Sequence, residues 1–143
     1  MFMLNELLIK ELSEQVGINT FDIQVIKDAE VYSTSEVKTN KIWINGKPIY
    51  RKVVAVSAPT YSSGTYALSE IPHNISKVDN IWIAGGYWLE SSEYRYEISA
   101  GSITSGAKIR PSVNKTQIQI YNSWSNANGW TGYMILEYTK TTD

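Results

Sequence analysis

The feature that most constrains this chain is a change of period near Phe21. Ahead of it, Leu4, Leu8, Leu12 and Val16 fall on one i, i+4 row with Leu7 beside them, while Glu6, Lys10, Glu11 and Glu14 take the other side. That spacing predicts one short amphipathic helix over about residues 4–16, stopped by Gly17, because glycine enters the left-handed cap conformation at little cost. From Phe21 onward Val, Ile, Thr, Tyr and Trp dominate, and apolar and polar residues alternate. This is the pattern of half-buried strands, and a helix cannot satisfy a period of two.

The alternation predicts strands at about Val31–Glu36, Lys41–Ile44, Ile49–Val56, Thr65–Leu68, Val78–Trp88, Tyr94–Ser99, Lys108–Pro111, Thr116–Tyr121 and Tyr133–Thr139. Asn45-Gly46, between Ile42-Trp43-Ile44 and Pro48-Ile49-Tyr50, predicts a hairpin of the type I′ kind, in which both central residues have positive φ. Pro48 lacks an N–H and belongs at a sheet edge or at a strand's first residue. Gly85-Gly86 is followed by Tyr-Trp rather than by a helix start, and predicts a bulge or tight bend, not a phosphate cradle. Ile118 and Ile120 alternate with Gln117 and Gln119, and Met134, Leu136 and Tyr138 with Ile135, Glu137 and Thr139, so these strands are expected to keep one face wet. The fold class that follows is mainly β: an antiparallel β-sandwich-like domain with one short N-terminal amphipathic helix.

The 143 residues suit one domain with a core of its own, without disulfide staples, and the chain has no cysteine. Charge divides it further. Residues 1–30 carry two lysines against six acidic residues, a net of −4, and the remaining eleven basic and eight acidic residues give +3. Residues 1–30 are therefore read as a helix and linker for attachment or trimerisation, and residues 31–143 as the β domain. The first residues lack a basic n-region, and Glu6 and Glu11 break the apolar run, so no signal peptide is expected. A net charge of −1 and a pI near 5.8 disfavour nucleic-acid binding. Apolar runs such as Ile81–Ala84 are far below the ~20 residues of a membrane helix, so no membrane insertion is expected.

Catalytic chemistry has little to work with. The one histidine, His73, excludes a multi-histidine metal site and is read as a turn or strand-entry residue bonded to backbone; no cofactor and no metal are expected. Glu90, Glu93 and Glu97 form the densest acidic group of the body but show no glycosidase pattern and are read as a solvated face. Asp79 and Glu137, inside apolar strands, are expected to pair with Lys or Arg. No enzyme activity is predicted. Aromatic weight is the positive signal: five Trp and ten Tyr against two Phe. Tyr and Trp combine an apolar body with a polar handle, which suits subunit interfaces and sugar-binding surfaces. Trp43 and Trp82 are expected to pack in the core or on a sheet face. Trp88, Trp124 and Trp130 fall at strand ends or in the polar loop Asn122–Gly129, where a ring can stack on a sugar while Asn122, Asn126 and Asn128 bond hydroxyls. Those five residues, Trp88, Trp124, Asn126, Asn128 and Trp130, are the candidate ligand-binding set.

Four stretches carry a family resemblance: Val31-Tyr-Ser-Thr-Ser-Glu36; Trp43-Ile-Asn-Gly-Lys-Pro-Ile-Tyr-Arg51; Ile71-Pro-His-Asn-Ile75 with Val78-Asp79; and Leu136-Glu-Tyr-Thr-Lys-Thr-Thr-Asp143. In this order they resemble the C-terminal domains of tail-fibre, minor structural or receptor-binding proteins of bacteriophages and prophages of Gram-positive bacteria. The resemblance covers residues 31–143 and implies a β-rich homotrimer in the virion. It also implies other phage tail proteins as partners, and host surface polysaccharide or teichoic acid as ligand. A stand-alone bacterial carbohydrate-binding module is the alternative the same aromatics allow.

Overall fold

The computed structural model describes residues 9–10, 31–98 and 109–143. Ile9 and Lys10 are helical, and the rest of the helix expected over residues 4–16 lies outside the described residues. The body is two antiparallel sheets. One has five strands in the order β1 (Val37–Ile42), β2 (Pro48–Ser57), β8 (Thr131–Lys140), β4 (Val78–Leu89) and β5 (Arg95–Glu97). The other has three, β3 (Ala67–Pro72), β7 (Gln117–Asn122) and β6 (Ile109–Val113).

Register assigns the faces. Tyr50, Val54 and Val56 of β2 lie across from Tyr138, Met134 and Gly132 of β8, and Ile81, Ile83 and Trp88 of β4 fall on that same side. These residues meet Ile118 and Ile120 of the smaller sheet in one apolar core, a sandwich-like arrangement in which the two sheets share their buried face. Met134, Leu136, Tyr138, Ile118 and Ile120 are fully buried, as the alternation predicts.

The opposite face of β8 departs from expectation: Glu137 and Thr139 are buried as well, so the second half of this strand is not wet. Being central, β8 is flanked on both sides. Glu137 pairs with Arg51 at 3.9 Å and Lys41 at 4.0 Å and lies across from Trp82, on which Trp43 stacks at 4.4 Å. The expected partners of both strand carboxylates are present, since Lys47 reaches Asp79 at 2.9 Å and holds that carboxyl below its usual range. Trp43 and Trp82 pack on the outer sheet face, half-buried, rather than in the core.

Val31–Glu36 is not a strand. Only the Ser33 carbonyl joins β2, accepting from the Val53 N–H at 2.8 Å, and the edge strand begins at Val37. The hairpin after it is also not type I′: Gly46 has φ +83°, but Asn45 is not among the positive-φ residues. The Trp43 N–H donates to the Lys47 carbonyl and the Gly46 N–H to the Trp43 carbonyl, which closes a three-residue loop with glycine in the left-handed position. Pro48 opens β2, as its missing donor requires. Gly85-Gly86 does form a bulge, with the β4–β8 register shifting between Ile83 and Gly85. At Gly86 a Cβ would overlap the Tyr133 carbonyl oxygen, so only glycine allows the two strands this close approach.

Candidate functional site

The sandwich ends where Ser57, Leu89 and Thr131 close one sheet and Ala67, Ile109 and Asn122 align in the other. Three connections gather there: residues 58–66, residues 90–94, and residues 123–130 with a short 3-10 turn at Ser125–Ala127.

An asparagine latch fixes the first to the third. The Asn128 Oδ1 accepts from the Tyr61 N–H at 2.8 Å and from Asn122 Nδ2 at 3.1 Å, while Asn128 Nδ2 donates to the Tyr61 carbonyl at 2.9 Å. Asn122, fully buried, also donates to the Pro59 carbonyl at 2.9 Å and accepts from the Trp124 N–H at 2.9 Å. Asn side chains mimic backbone, which is why two of them can pin two irregular segments together.

The candidate ligand-binding set separates on this frame. Trp88 and Trp130, 2% and 5% exposed, are core residues whose rings are closed to a ligand. Asn128 spends its amide on the latch. Trp124 is half-buried, with its ring edge-on to Trp130 at 5.5 Å, and Asn126 is exposed on the 3-10 turn. Trp124 and Asn126 are thus the two members of the set at the surface.

The structure adds residues that the loop reading missed. Tyr96 of β5 lies flat on Trp130, centroids 5.0 Å apart and planes 4° from parallel, and remains 46% exposed. Its hydroxyl donates to the Glu90 carboxylate at 2.9 Å, a bond that, with partial burial, raises the phenol pKa. Tyr94 is exposed beside it in sequence, and Tyr66 meets Tyr121 edge-to-face at 5.0 Å, with Arg110 4.6 Å from the Tyr121 ring. Trp124, Trp130 and Tyr96 form a run of three rings, the middle one buried and the outer two reaching the surface. Such a run offers apolar ring surface next to amide and carboxylate groups, the chemistry that holds a sugar by its C–H face and its hydroxyls. The abundance of tyrosine and the Tyr94-Arg-Tyr96 alternation were the signals available in the sequence.

His73 is buried with both ring nitrogens engaged, Nδ1 accepting from the Ile75 N–H at 3.1 Å and Nε2 3.0 Å from the Asn114 carbonyl. It braces the turn before β4, as expected. Among the described residues no cluster of His, Asp or Glu could hold a metal ion. No protein-family model, curated protein or solved structure matches the chain.

Proposed function

We propose that the chain is a non-enzymatic structural and receptor-binding component of a phage tail that recognises a host cell-surface glycan through the loop end of its β domain. The observation that carries the glycan part is the ring run Trp124–Trp130–Tyr96, with both tryptophans on the connection of residues 123–130 and the tyrosine on β5, set among exposed Asn126, Tyr94 and Glu90. The tail assignment rests on the sequence resemblance, and the finer fold reading belongs with it: a homotrimer of sandwich domains, with the amphipathic helix of residues 4–16 as its joining element. Single sugar contacts are weak. A repetitive polymer such as wall polysaccharide or teichoic acid would be held by several copies at once, which multiplies affinity without new contacts.

Adsorption to Gram-positive cells tests this. Tyr96→Ala and Trp124→Ala should each lower adsorption at least about tenfold under conditions where the fold is intact, and soluble wall polysaccharide should compete with the unaltered protein. Equal adsorption by both variants, or no adsorption by the unaltered chain to any panel of hosts, refutes the reading.

A further inference from the structure

The outer face of the five-stranded sheet carries a groove that shares no residue with the ring run at the loop end. Neighbours in β4 show the division: Trp88 is buried in the core, while Tyr87 faces the other way, across from Tyr133 of β8. Exposed Tyr32, Tyr87 and Tyr133 wall a groove of about 360 Å³ floored by Val53, Ile135 and the Gly86 backbone. That is the size of a small-molecule site, where a mostly apolar lining meets a few polar groups.

Groups outside the lining hold the walls in place. Arg51, itself buried and paired with Glu137 at 3.9 Å, stands 4.6 Å from the centre of the Tyr32 ring. Arg95 stands 5.8 Å from that of Tyr87, and Tyr87 meets Tyr133 edge-to-face at 5.9 Å. The Ser33 carbonyl, accepting from the Val53 N–H at 2.8 Å, ties the segment that bears Tyr32 to the floor. The Gly85-Gly86 bulge lies at the same place, and Gly86, at φ +136°, brings bare backbone to the groove immediately before Tyr87. Bulges re-aim neighbouring side chains beside functional sites. A cleft already fixed before its ligand arrives loses less freedom on binding.

The lining also selects the chemistry of what binds. None of its eight residues is charged, and five carry hydroxyls: the three tyrosines, Ser33 and Thr34. The hydroxyls of Tyr32, Tyr87 and Tyr133 bond no other described residue, so they are free to meet a ligand. A charged ligand would find no counter-charge in this lining, and a hydrocarbon chain would leave the phenol hydroxyls unused. An uncharged sugar ring satisfies both parts, laying its C–H face on the aromatic walls while its own hydroxyls exchange hydrogen bonds with the phenols. We propose that this groove binds an uncharged pyranose residue, as a carbohydrate site separate from the loop end. It stands on its own observations, and neither the tail assignment nor the ring run is needed for it.

The probes are the methyl glycosides of glucose, galactose, N-acetylglucosamine and rhamnose, with glucuronic acid as the charged counterpart. Each is titrated into the isotope-labelled full chain and followed by nuclear magnetic resonance. At least one uncharged glycoside should bind saturably, with a dissociation constant on the order of millimolar, and shift the amide signals of Val53, Gly86 and Ile135. Glucuronic acid should bind at least about tenfold more weakly. Tyr133→Ala removes a wall, and Thr34→Trp fills the groove from an exposed position. Each should weaken binding at least about tenfold, whereas Tyr96→Ala should leave it within about twofold. Thr34→Trp decides the matter if Tyr133→Ala fails to fold. No saturable binding by any of the uncharged glycosides, tighter binding of glucuronic acid, or binding that survives Thr34→Trp overturns the inference. Binding lost in Tyr96→Ala but kept in Thr34→Trp removes this groove and leaves the loop end standing; the reverse pattern, with cell adsorption unchanged in Tyr96→Ala, keeps the groove and removes the loop end.

Discussion

Asn128 separates a latched loop end from an adaptable one. Asn128→Ala deletes three hydrogen bonds at once, two to the Tyr61 backbone and one to Asn122. Each is worth about 1 kcal/mol net, with more lost wherever a buried partner is left unpaired. The partners are not equally exposed to that cost. Asn122 Nδ2 keeps its bond to the Pro59 carbonyl at 2.9 Å, and the half-buried Tyr61 backbone can turn to water. The expected loss is therefore about 2 kcal/mol rather than the larger sum. With a urea slope of about 2 kcal/mol/M, the midpoint should fall by about 1 M at unchanged slope, and the thermal midpoint by roughly 8 °C. Asn126→Ala, exposed on the same loop, should stay within about 0.5 kcal/mol of the unaltered protein. Urea unfolding followed by tryptophan fluorescence reads both. If Asn128→Ala shifts the midpoint no more than Asn126→Ala, the two segments are not latched and the assignment of Asn128 to structure is wrong.

Three further outcomes follow from the same geometry. Trp130→Ala, which empties a core site between two rings, should cost about 3–5 kcal/mol, whereas the half-buried Trp124→Ala should cost about 1–2 kcal/mol and act mainly on adsorption; equal losses in urea unfolding would make Trp124 structural. Gly86→Ala, at φ +136° and against the Tyr133 carbonyl, should cost about 3 kcal/mol, and Gly46→Ala, at φ +83° with open space around it, only about 1 kcal/mol. Stability should fall with alkali. Burial, then the Glu36 carboxylate that its hydroxyl bonds at 2.8 Å, raises the Tyr138 phenol above 10.0; burial, then Asp143, pushes Tyr50 up to about 12. A raised folded pKa stabilises fully below the unfolded value and is lost as pH rises, so the decline should begin near pH 10 and be shallower in Tyr138→Phe; a flat profile between pH 9 and about 11.5 contradicts it.

Legibility followed how much one strand could say about itself. Ile49–Val56, Val78–Trp88, Thr116–Tyr121 and Tyr133–Thr139 lie within two residues of the observed β2, β4, β7 and β8, because a buried face imposes a clean alternation. The edge strand was misplaced. Val37–Ile42 is Val-Lys-Thr-Asn-Lys-Ile, polar at most positions, and its pairing is dictated by the neighbouring β2 rather than by its own pattern. Likewise Ala67–Pro72 was expected at Thr65–Leu68, since half its residues face water and Pro72 ends it without a donor. The tryptophans were the harder case. Position at a strand end suggested exposure for Trp88 and Trp130, but Trp88 faces inward by the register with Gly132, and Trp130 is capped by Tyr96 from β5, thirty-four positions earlier in the chain. Asn128 looked like a free amide because its partner, Tyr61, is separated from it by 67 positions. Tertiary partners of that kind leave no local trace.

One consequence of the strand order concerns synthesis. In the larger sheet β8 lies between β2 and β4, yet it leaves the ribosome after both of them, and Arg51 waits for Glu137 eighty-six residues later. Until then β2 and β4 present open edges and have no common partner, while β3, β7 and β6 can already pair among themselves. The nascent chain is therefore most exposed to misassociation just before its last strand emerges, and folding to the native sheet is governed by a long-range closure that is intrinsically slow. A stop codon or ribosomal pause ahead of Thr131 should yield a protein with its smaller sheet formed and its larger one unclosed, a species for chaperones to hold.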